Sequence, residues 1–200
     1  TGPVRLINFT QETECQFCRE TRELLEDLAE LNDKLRLEVY DLMSDADKAR
    51  EYGVDKIPAT VLVGQKDHGI RYYGVPAGYE FASLLEDILM VSADDSGLSG
   101  ETRAQLKALT RPVHLQVFVT PTCPYCPGAV RLAHQFAMET DLVTSDMVEA
   151  TEFPELSVRY QVGSVPKTVA NEQSAGEGMM PEDKFLASVL QAAGQAGQGG

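Results

Sequence analysis

The segment TPTCPYCPGAVRLAH, Thr120 to His134, sets two cysteines two residues apart between an apolar run and a helical pattern. Much earlier in the chain, TECQFCRETRELLEDL does the same with Cys15 and Cys18. Two C-x-x-C pairs have two chemistries open to them: holding one metal ion together, or forming two separate redox centres. Metal-binding pairs of this kind are usually separated by roughly 15–20 residues. Here 104 residues lie between Cys18 and Cys123, and each pair has its own strand-to-helix junction, which favours the redox reading. A cysteine at a helix N-terminus meets unsatisfied backbone N–H groups and the positive end of the helix dipole, and both stabilise a thiolate. A second cysteine three positions later is nearly one turn on, near enough to close a small disulfide ring. In thiol exchange the first sulfur attacks a substrate disulfide and the second resolves the mixed disulfide.

The elements that must hold these cysteines are repeated. Cys15 to Cys123 and Cys18 to Cys126 are both steps of 108 residues, and the same step carries Tyr52 to Tyr160, Val54 to Val162, Pro58 to Pro166 and Thr60 to Thr168. EYGVDKIPAT and RYQVGSVPKT are two copies of one segment. Phe81 to Phe185 is a step of 104, so the second copy lacks four residues in between. The repeat predicts two domains, 1–95 and 96–200, each of ordinary size. The small, polar SADDSGLSG, Ser92 to Gly100, is the expected linker.

Each copy reads as βαβαββα. VRLINF and HLQVFV carry the Val, Ile, Leu and Phe of strands. Helical spacing follows the cysteines, with Phe17, Leu24, Leu25, Leu28 and Leu31 in copy one and Val130, Ala133, His134 and Ala137 in copy two. LRLEVYDL and LVTSDMVEA are second strands, each followed by a short helix. IPATVLVG and GIRYYG flank a turn at QKDH, and AGYEFASLLEDILM closes the unit as a helix. The second hairpin, KTVANEQSAGEGMM, is shorter and polar, so weaker strands are expected there. LSGETRAQLKALTRP reads as a helix leading into copy two. Its counterpart in copy one would precede Thr1, and an opening on Thr rather than Met fits a removed leader. The terminal GQAGQGG is expected to be disordered.

Pro58 follows Cys15 by 43 residues, and Pro166 follows Cys123 by the same 43. Proline at a strand start also suits a plain edge position, but the matched placement favours a cis peptide. Among the histidines, His68 is read as a solvated turn residue, His114 as a strand start and His134 as part of the helix after Cys126. None has metal spacing to a cysteine. The net charge of −14 and a pI near 4.6 argue against nucleic acid or anionic membranes as partners, since both call for basic patches. Good solubility accounts for the acidity. With 43% hydrophobic residues the chain can bury a core, yet no apolar stretch nears the roughly 18 residues of a membrane span. Four cysteines confined to C-x-x-C pairs do not make a secreted disulfide framework.

Together these motifs resemble the thioredoxin fold, with a C-x-x-C motif after strand one and a cis-proline before a later strand. CPYC is similar to the active-site sequence of glutaredoxins. The tandem of CQFC and CPYC resembles the protein disulfide oxidoreductases of thermophilic archaea and bacteria, also called glutaredoxin-like proteins. GIRYYGVPAGYEFASLLEDI and VFVTPTCPYCPGAVRLAHQFA are especially similar, and the resemblance covers nearly the whole chain. It implies an α/β protein of two tandem thioredoxin-like folds, each a mixed central sheet flanked by helices. It implies that Cys15 and Cys123 are nucleophiles and that Cys18 and Cys126 resolve. Pro58 and Pro166 would be cis, with Ile57 and Val165 offering backbone hydrogen bonds to a substrate peptide. Protein disulfides as substrates, a cytoplasmic location and reduction by a thioredoxin-reductase-like flavoenzyme are implied too, with no cofactor or metal.

The departures from the pattern are informative. GEGMMPED stands where glutathione-using glutaredoxins carry a Gly-Gly and Asp stretch, which speaks against a glutathione site. Thioredoxins keep a buried Asp six residues before the first cysteine, and those positions hold Phe9 and Val117. Candidate proton acceptors are Asp41 and its repeat mate Glu149, each ending a second strand, and Glu80 in PAGYEF. A carboxylate in the first turn of a helix is favoured by the dipole alone. The alkyl hydroperoxide reductase flavoprotein carries a similar Gly-x-Glu-Phe segment, and that likeness makes Glu80 a buried acid serving Cys126 across the domain boundary. The N-terminal electron-relay module of that flavoprotein, with two such folds but one active pair, is the alternative reading. A non-catalytic interaction module is another. The intact CQFC counts against the first, and the intact pairs count against the second. Glu12, Glu14 and Glu20 lie near Cys15, partly offset by Arg19, whereas Cys123 has no acid nearby in sequence. The C-terminal centre is therefore expected to dominate.

Overall fold

The computed structural model describes residues 1–194; the Gly-rich tail expected to be disordered lies, from 195 onward, outside the described residues. The first half runs β1 (Val4–Thr10), α1 (Cys18–Glu30), β2 (Leu35–Asp41), α2 (Ala46–Tyr52), β3 (Ala59–Val63), β4 (Asp67–Tyr73) and α3 (Tyr79–Ala93). A further helix, α4 (Gly100–Lys107), leads into β5 (Val113–Val119), α5 (Cys126–Glu139), β6 (Val143–Glu149), α6 (Pro154–Arg159), β7 (Lys167–Ala170), β8 (Gln173–Glu177) and α7 (Glu182–Ala192). The connection between halves is shorter than SADDSGLSG suggests, because α3 continues through Ala93. Ser99 caps α4, its side chain accepting from the Thr102 N–H and so satisfying one of the helix's orphan donors.

All eight strands form one mixed sheet in the order β2-β1-β3-β4-β6-β5-β7-β8. Each half has the same internal order, with its first two strands parallel and its hairpin antiparallel. The halves join where β4 pairs in parallel with β6, from Ile70 opposite Ser145 to Tyr73 opposite Val148. β4 is therefore an inner strand, and His68 to Tyr73 are all buried. Its repeat counterpart β8 lies on the outer margin and is polar and mostly exposed. GIRYYG and SAGEG thus differ because a strand paired and covered on both sides is apolar on both faces, while a margin strand meets water. The four missing residues fall in the β7–β8 hairpin. Gly74 N–H bonds to Pro58 O and Gly178 N–H to Pro166 O, equivalent bonds whose acceptors are 108 apart and whose donors are 104 apart.

Side chains alternate between two core layers. Val4, Leu6, Ile70, Tyr72, Leu115 and Val117 pack beneath α1, α3, α5 and α7. Ile7, Phe9, Tyr73, Phe118 and Val148 pack on the other face, against α2 and α6. This alternation corrects the repeat alignment. The step is 108 at the cysteines, between β2 and β6 and between β3 and β7, but 109 between β1 and β5: Asn8 lies opposite Thr60 just as Val117 lies opposite Thr168. Copy one has an extra residue between β1 and Cys15, where Glu14 adopts a φ of 59°. The counterpart of Val117 is consequently Asn8 and not Phe9, which faces the opposite layer. Asn8 is fully buried and donates from Nδ2 to Ala59 O at 3.0 Å.

Two further expectations change. Leu31 falls just past the end of α1 and is 79% exposed, while Thr21 takes a core position with its hydroxyl bonded to Phe17 O. His68 is not in a solvated turn. The turn closes over Gly64–Lys66, β4 begins at Asp67, and the buried His68 faces Asp94 with Nε2 3.2 Å from Oδ1.

Phe136 on α5 is fully buried, its ring 4.8 Å from that of Phe185 on α7. Phe136→Ala should lower stability by about 3–5 kcal/mol, read as a shift of the denaturant midpoint at unchanged slope.

Candidate active site

Strand direction decides where the chemistry gathers. β1, β4, β5 and β6 run one way, and β3 and β7 run the other. The loops after the first set and the segments before the second therefore share one margin of the sheet. Cys15 and Cys123 follow β1 and β5, Pro58 and Pro166 precede β3 and β7, and Glu80 follows β4.

Each C-x-x-C pair is closed on itself as a disulfide with its Cα atoms 5.5 Å apart, inside the usual range for such bonds. Cys18 and Cys126 are the first residues of α1 and α5 and are buried. The outer sulfurs are the approachable ones. Cys15 is half-buried, and Cys123 keeps 9% of its surface. Cys126 N–H donates to Cys123 Sγ at 3.2 Å, a helix N-terminal donor aimed at the sulfur that would carry charge. The Ile57–Pro58 and Val165–Pro166 peptides are both cis. Cys123 Sγ lies 3.8 Å from the Val165 carbonyl oxygen, and Cys15 shares a cleft with Phe17, Ile57 and Pro58.

Glu80 is 1% exposed in the first turn of α3, which packs along α5. Neither carboxylate oxygen has a hydrogen-bond partner among the described residues. Burial pushes its pKa up to about 7, opposed by the nearby Ser83 hydroxyl and by His134 and reinforced by Asp87. Gly78 is what lets this segment approach the second centre. Its φ is 61°, and a Cβ there would overlap the Pro121 carbonyl oxygen, which accepts the Tyr79 N–H at 3.0 Å. Beside Glu80 lies a polar cluster that no sequence pattern brings together: Tyr72 OH donates to Asp87, and His134 Nδ1 meets the same carboxylate.

The other two acids differ. Ser44, through its N–H and hydroxyl, and the Met43 N–H hold the Asp41 carboxyl below its usual range, so Asp41 serves a turn. Glu149 is buried and accepts from Thr151 and from the Glu152 N–H. Glu152, absent from the sequence candidates, lines the same cleft as Cys15 and Pro58. Its position 108 residues earlier holds Ser44, so the repeat gave no signal for it. His114 pairs with Asp146 at the start of β5.

A thioredoxin-domain family profile (Thioredoxin_3) matches residues 113–191. The chain is similar to the alkyl hydroperoxide reductase AhpF of Pseudomonas aeruginosa, 26% identical over 86% of this chain and 31% of that protein. It is also similar to a Bacillus subtilis NADH dehydrogenase, 23% identical over 83% of this chain and 30% of that protein. The chain thus spans about three tenths of the length of these curated relatives. Among solved structures, the AhpF of Enterococcus faecalis matches with a TM-score of 0.87 at 27% identity, over 94% of this chain and 91% of that one. A protein disulfide oxidoreductase from Aeropyrum pernix matches with a TM-score of 0.92 at 36% identity, over 97% of this chain and 87% of that one. Two tandem thioredoxin-like folds, two C-x-x-C disulfides and this degree of identity over nearly the whole length lead to one assignment: the chain belongs to the protein disulfide oxidoreductase family.

Proposed function

We propose that this chain exchanges electrons with protein disulfides by dithiol chemistry at two centres, Cys15–Cys18 in a unit spanning 1–95 and Cys123–Cys126 in a unit spanning 96–200. The observation that carries the reading is the repeated arrangement of an outer sulfur, a buried sulfur at a helix start and a cis-proline. Cys15 and Cys123 attack; Cys18 and Cys126 resolve. A peptide substrate aligns along the backbone at Ile57–Pro58 or Val165–Pro166. The exposed Tyr125 ring beside Cys123 adds apolar contact for it. Reduction by a thioredoxin-reductase-like flavoenzyme and a cytoplasmic location complete the reading. No helix among the described residues is long and apolar enough to cross a membrane.

An electron-relay role like that of the flavoprotein relatives is the second reading, favoured by the coverage of those relatives. Two intact pairs set the first reading ahead of it.

The second centre is the stronger nucleophile on electrostatic grounds. α1 carries Glu20 in its first turn and Glu14 lines the Cys15 cleft, whereas α5 has no acid in its first turn. A nearby carboxylate raises a thiol pKa by roughly half to one unit, a difference of about three- to tenfold in thiolate near neutral pH. Cys15 is the more accessible sulfur, but the thiolate is the attacking species. Cys123→Ser should therefore cost at least about threefold more insulin-reduction activity than Cys15→Ser; equal losses would defeat the argument.

Roles within the pair are separable. Cys126→Ser should accumulate a mixed disulfide between Cys123 and a partner protein, visible on a non-reducing gel and lost on adding thiol. Trapping by Cys123→Ser instead would reverse the assignment.

Glu80 is the proposed proton acceptor for Cys126. It acts as a base in its carboxylate form, so resolution should quicken as pH rises through about 7. Glu80→Gln should slow resolution at Cys123–Cys126 about 100-fold and remove that rise. Single-turnover kinetics across pH check this, and an unaltered profile would rule Glu80 out.

A further inference from the structure

Glu152 belongs to the second half but stands in the cleft of the first half's cysteines. It lines that cleft together with Cys15, Ile57 and Pro58, the residues between which a substrate disulfide must dock. Its Oε2 accepts the Val75 N–H at 2.8 Å, which fixes the carboxyl in place. Its Oε1 is buried and has no hydrogen-bond partner among the described residues. Gly74 makes the seat possible: a Cβ there would lie 2.7 Å from Glu152 Oε2 and 2.7 Å from Glu149 Cβ. Val75 and Gly74 come from the loop after β4, and Glu152 from the loop after β6. The site is therefore built across the joint between the halves. Cys18, by contrast, lies beneath the cleft and is 1% exposed.

We propose that Glu152 is the proton-transfer group of the Cys15 centre, giving its proton to the substrate sulfur that Cys15 displaces and taking it back when the reaction runs in reverse. The inference rests on the disulfide-exchange reading above. In the reduced protein Cys15 is a thiolate, and Cys18 and Glu152 are protonated. The Cys15 sulfur attacks; its bond to one substrate sulfur forms as the substrate S–S bond breaks, and the leaving sulfur takes the Glu152 proton. Cys18 then gives up its proton and attacks the Cys15 sulfur, and the second substrate sulfur departs with that proton. Two electrons and two protons reach the substrate, the protein is left with the Cys15–Cys18 disulfide, and the Glu152 carboxylate regains a proton from water.

The surroundings suit a carboxyl that is protonated near neutral pH. Burial is the main cause, opposed by the Val75 N–H and reinforced by Glu149 and then by Glu20 on α1, and together they push Glu152 up to about 7. Glu14 shares the cleft, and Asp55 and Lys56 share an adjoining hollow. Lys56 is already held by Asp55 at 2.8 Å and over the Tyr73 ring at 3.8 Å. A neutral carboxyl also spares the Cys15 thiolate the repulsion that an ordinary glutamate would exert. Two acids thereby serve two centres, each crossing the joint, from positions the repeat does not relate.

The test uses the full chain with Cys123 and Cys126 replaced by Ser, so that only the first centre reacts. Single-turnover reduction of a model peptide disulfide is followed across pH. With Glu152 present, the rate should climb as Cys15 ionises and then fall as pH passes about 7, where Glu152 loses its proton. Glu152→Gln keeps an acceptor for the Val75 N–H. It should abolish the falling limb and slow the reaction roughly 100-fold at mildly acid pH. An unchanged rate and profile in that variant overturns the proposal while leaving the exchange reading intact. No exchange at all in the protein that retains Cys15, Cys18 and Glu152 overturns both. Should the Gln variant not fold, a carbonyl-carbon NMR titration of Glu152 in the parent protein decides: a midpoint near 7 supports the assignment, and one in the ordinary carboxylate range removes it.

Discussion

Tyr72 opposite Met147 and Tyr73 opposite Val148 are pairs in the parallel β4–β6 ladder, and that ladder turns two repeats into one sheet. Its direction matters more than its length. Had β4 and β6 met antiparallel, the second centre would open at the opposite margin of the sheet from the first. Parallel pairing instead aligns the ends of β1, β4, β5 and β6, so that both outer sulfurs and both cis-prolines share one margin. It also lets the loop leaving β4 reach the second centre at Gly78 and Tyr79, and the loop leaving β6 reach the first at Glu152.

The same joint is held behind the sheet by a buried polar cluster. Asp87 on α3 takes Tyr72 OH from β4 and His134 Nδ1 from α5, and all three residues are essentially sealed from water. Groups buried this deeply are costly unless paired, so the cluster fixes one registration of α3 against α5 and disfavours a slipped one. α3 carries Glu80 at its start and α5 carries Cys126 at its own. A helix shift of one residue would move these two helix starts relative to each other.

How much of this was legible in the sequence follows from what is local. The C-x-x-C pairs, the prolines and the helix faces recur at fixed steps, so their types and order could be read directly, and the internal repeat identified each copy's strands. The position in β1 that corresponds to Val117 was not legible, because one added residue near Glu14 shifts the step from 108 to 109. A one-residue slip in a strand moves every side chain to the other face, which is why Asn8 and not Phe9 matches Val117. The burial of His68 was hidden for a related reason: the hairpin is tighter than QKDH suggests, and β4 is covered by a partner strand far away in sequence. Glu152 could not be found at all. Nothing near it in the chain distinguishes it from a surface acid, and its place depends on β6 pairing with a strand from the other repeat.

The shortened β7–β8 hairpin has a consequence for how molecules meet one another. β8 occupies in its repeat the place that β4 uses to recruit another strand, so a second β4 at that position would be a long apolar edge open to any passing chain. β8 is instead five residues long, interrupted by a register shift at Thr168/Val169, loosened by Gly176 and ended by Glu177. Short, polar and irregular edges discourage strand addition. The geometry that fuses two repeats into one sheet is thereby spent once, and β8 offers neighbouring molecules no long apolar edge on which to continue it into a fibre.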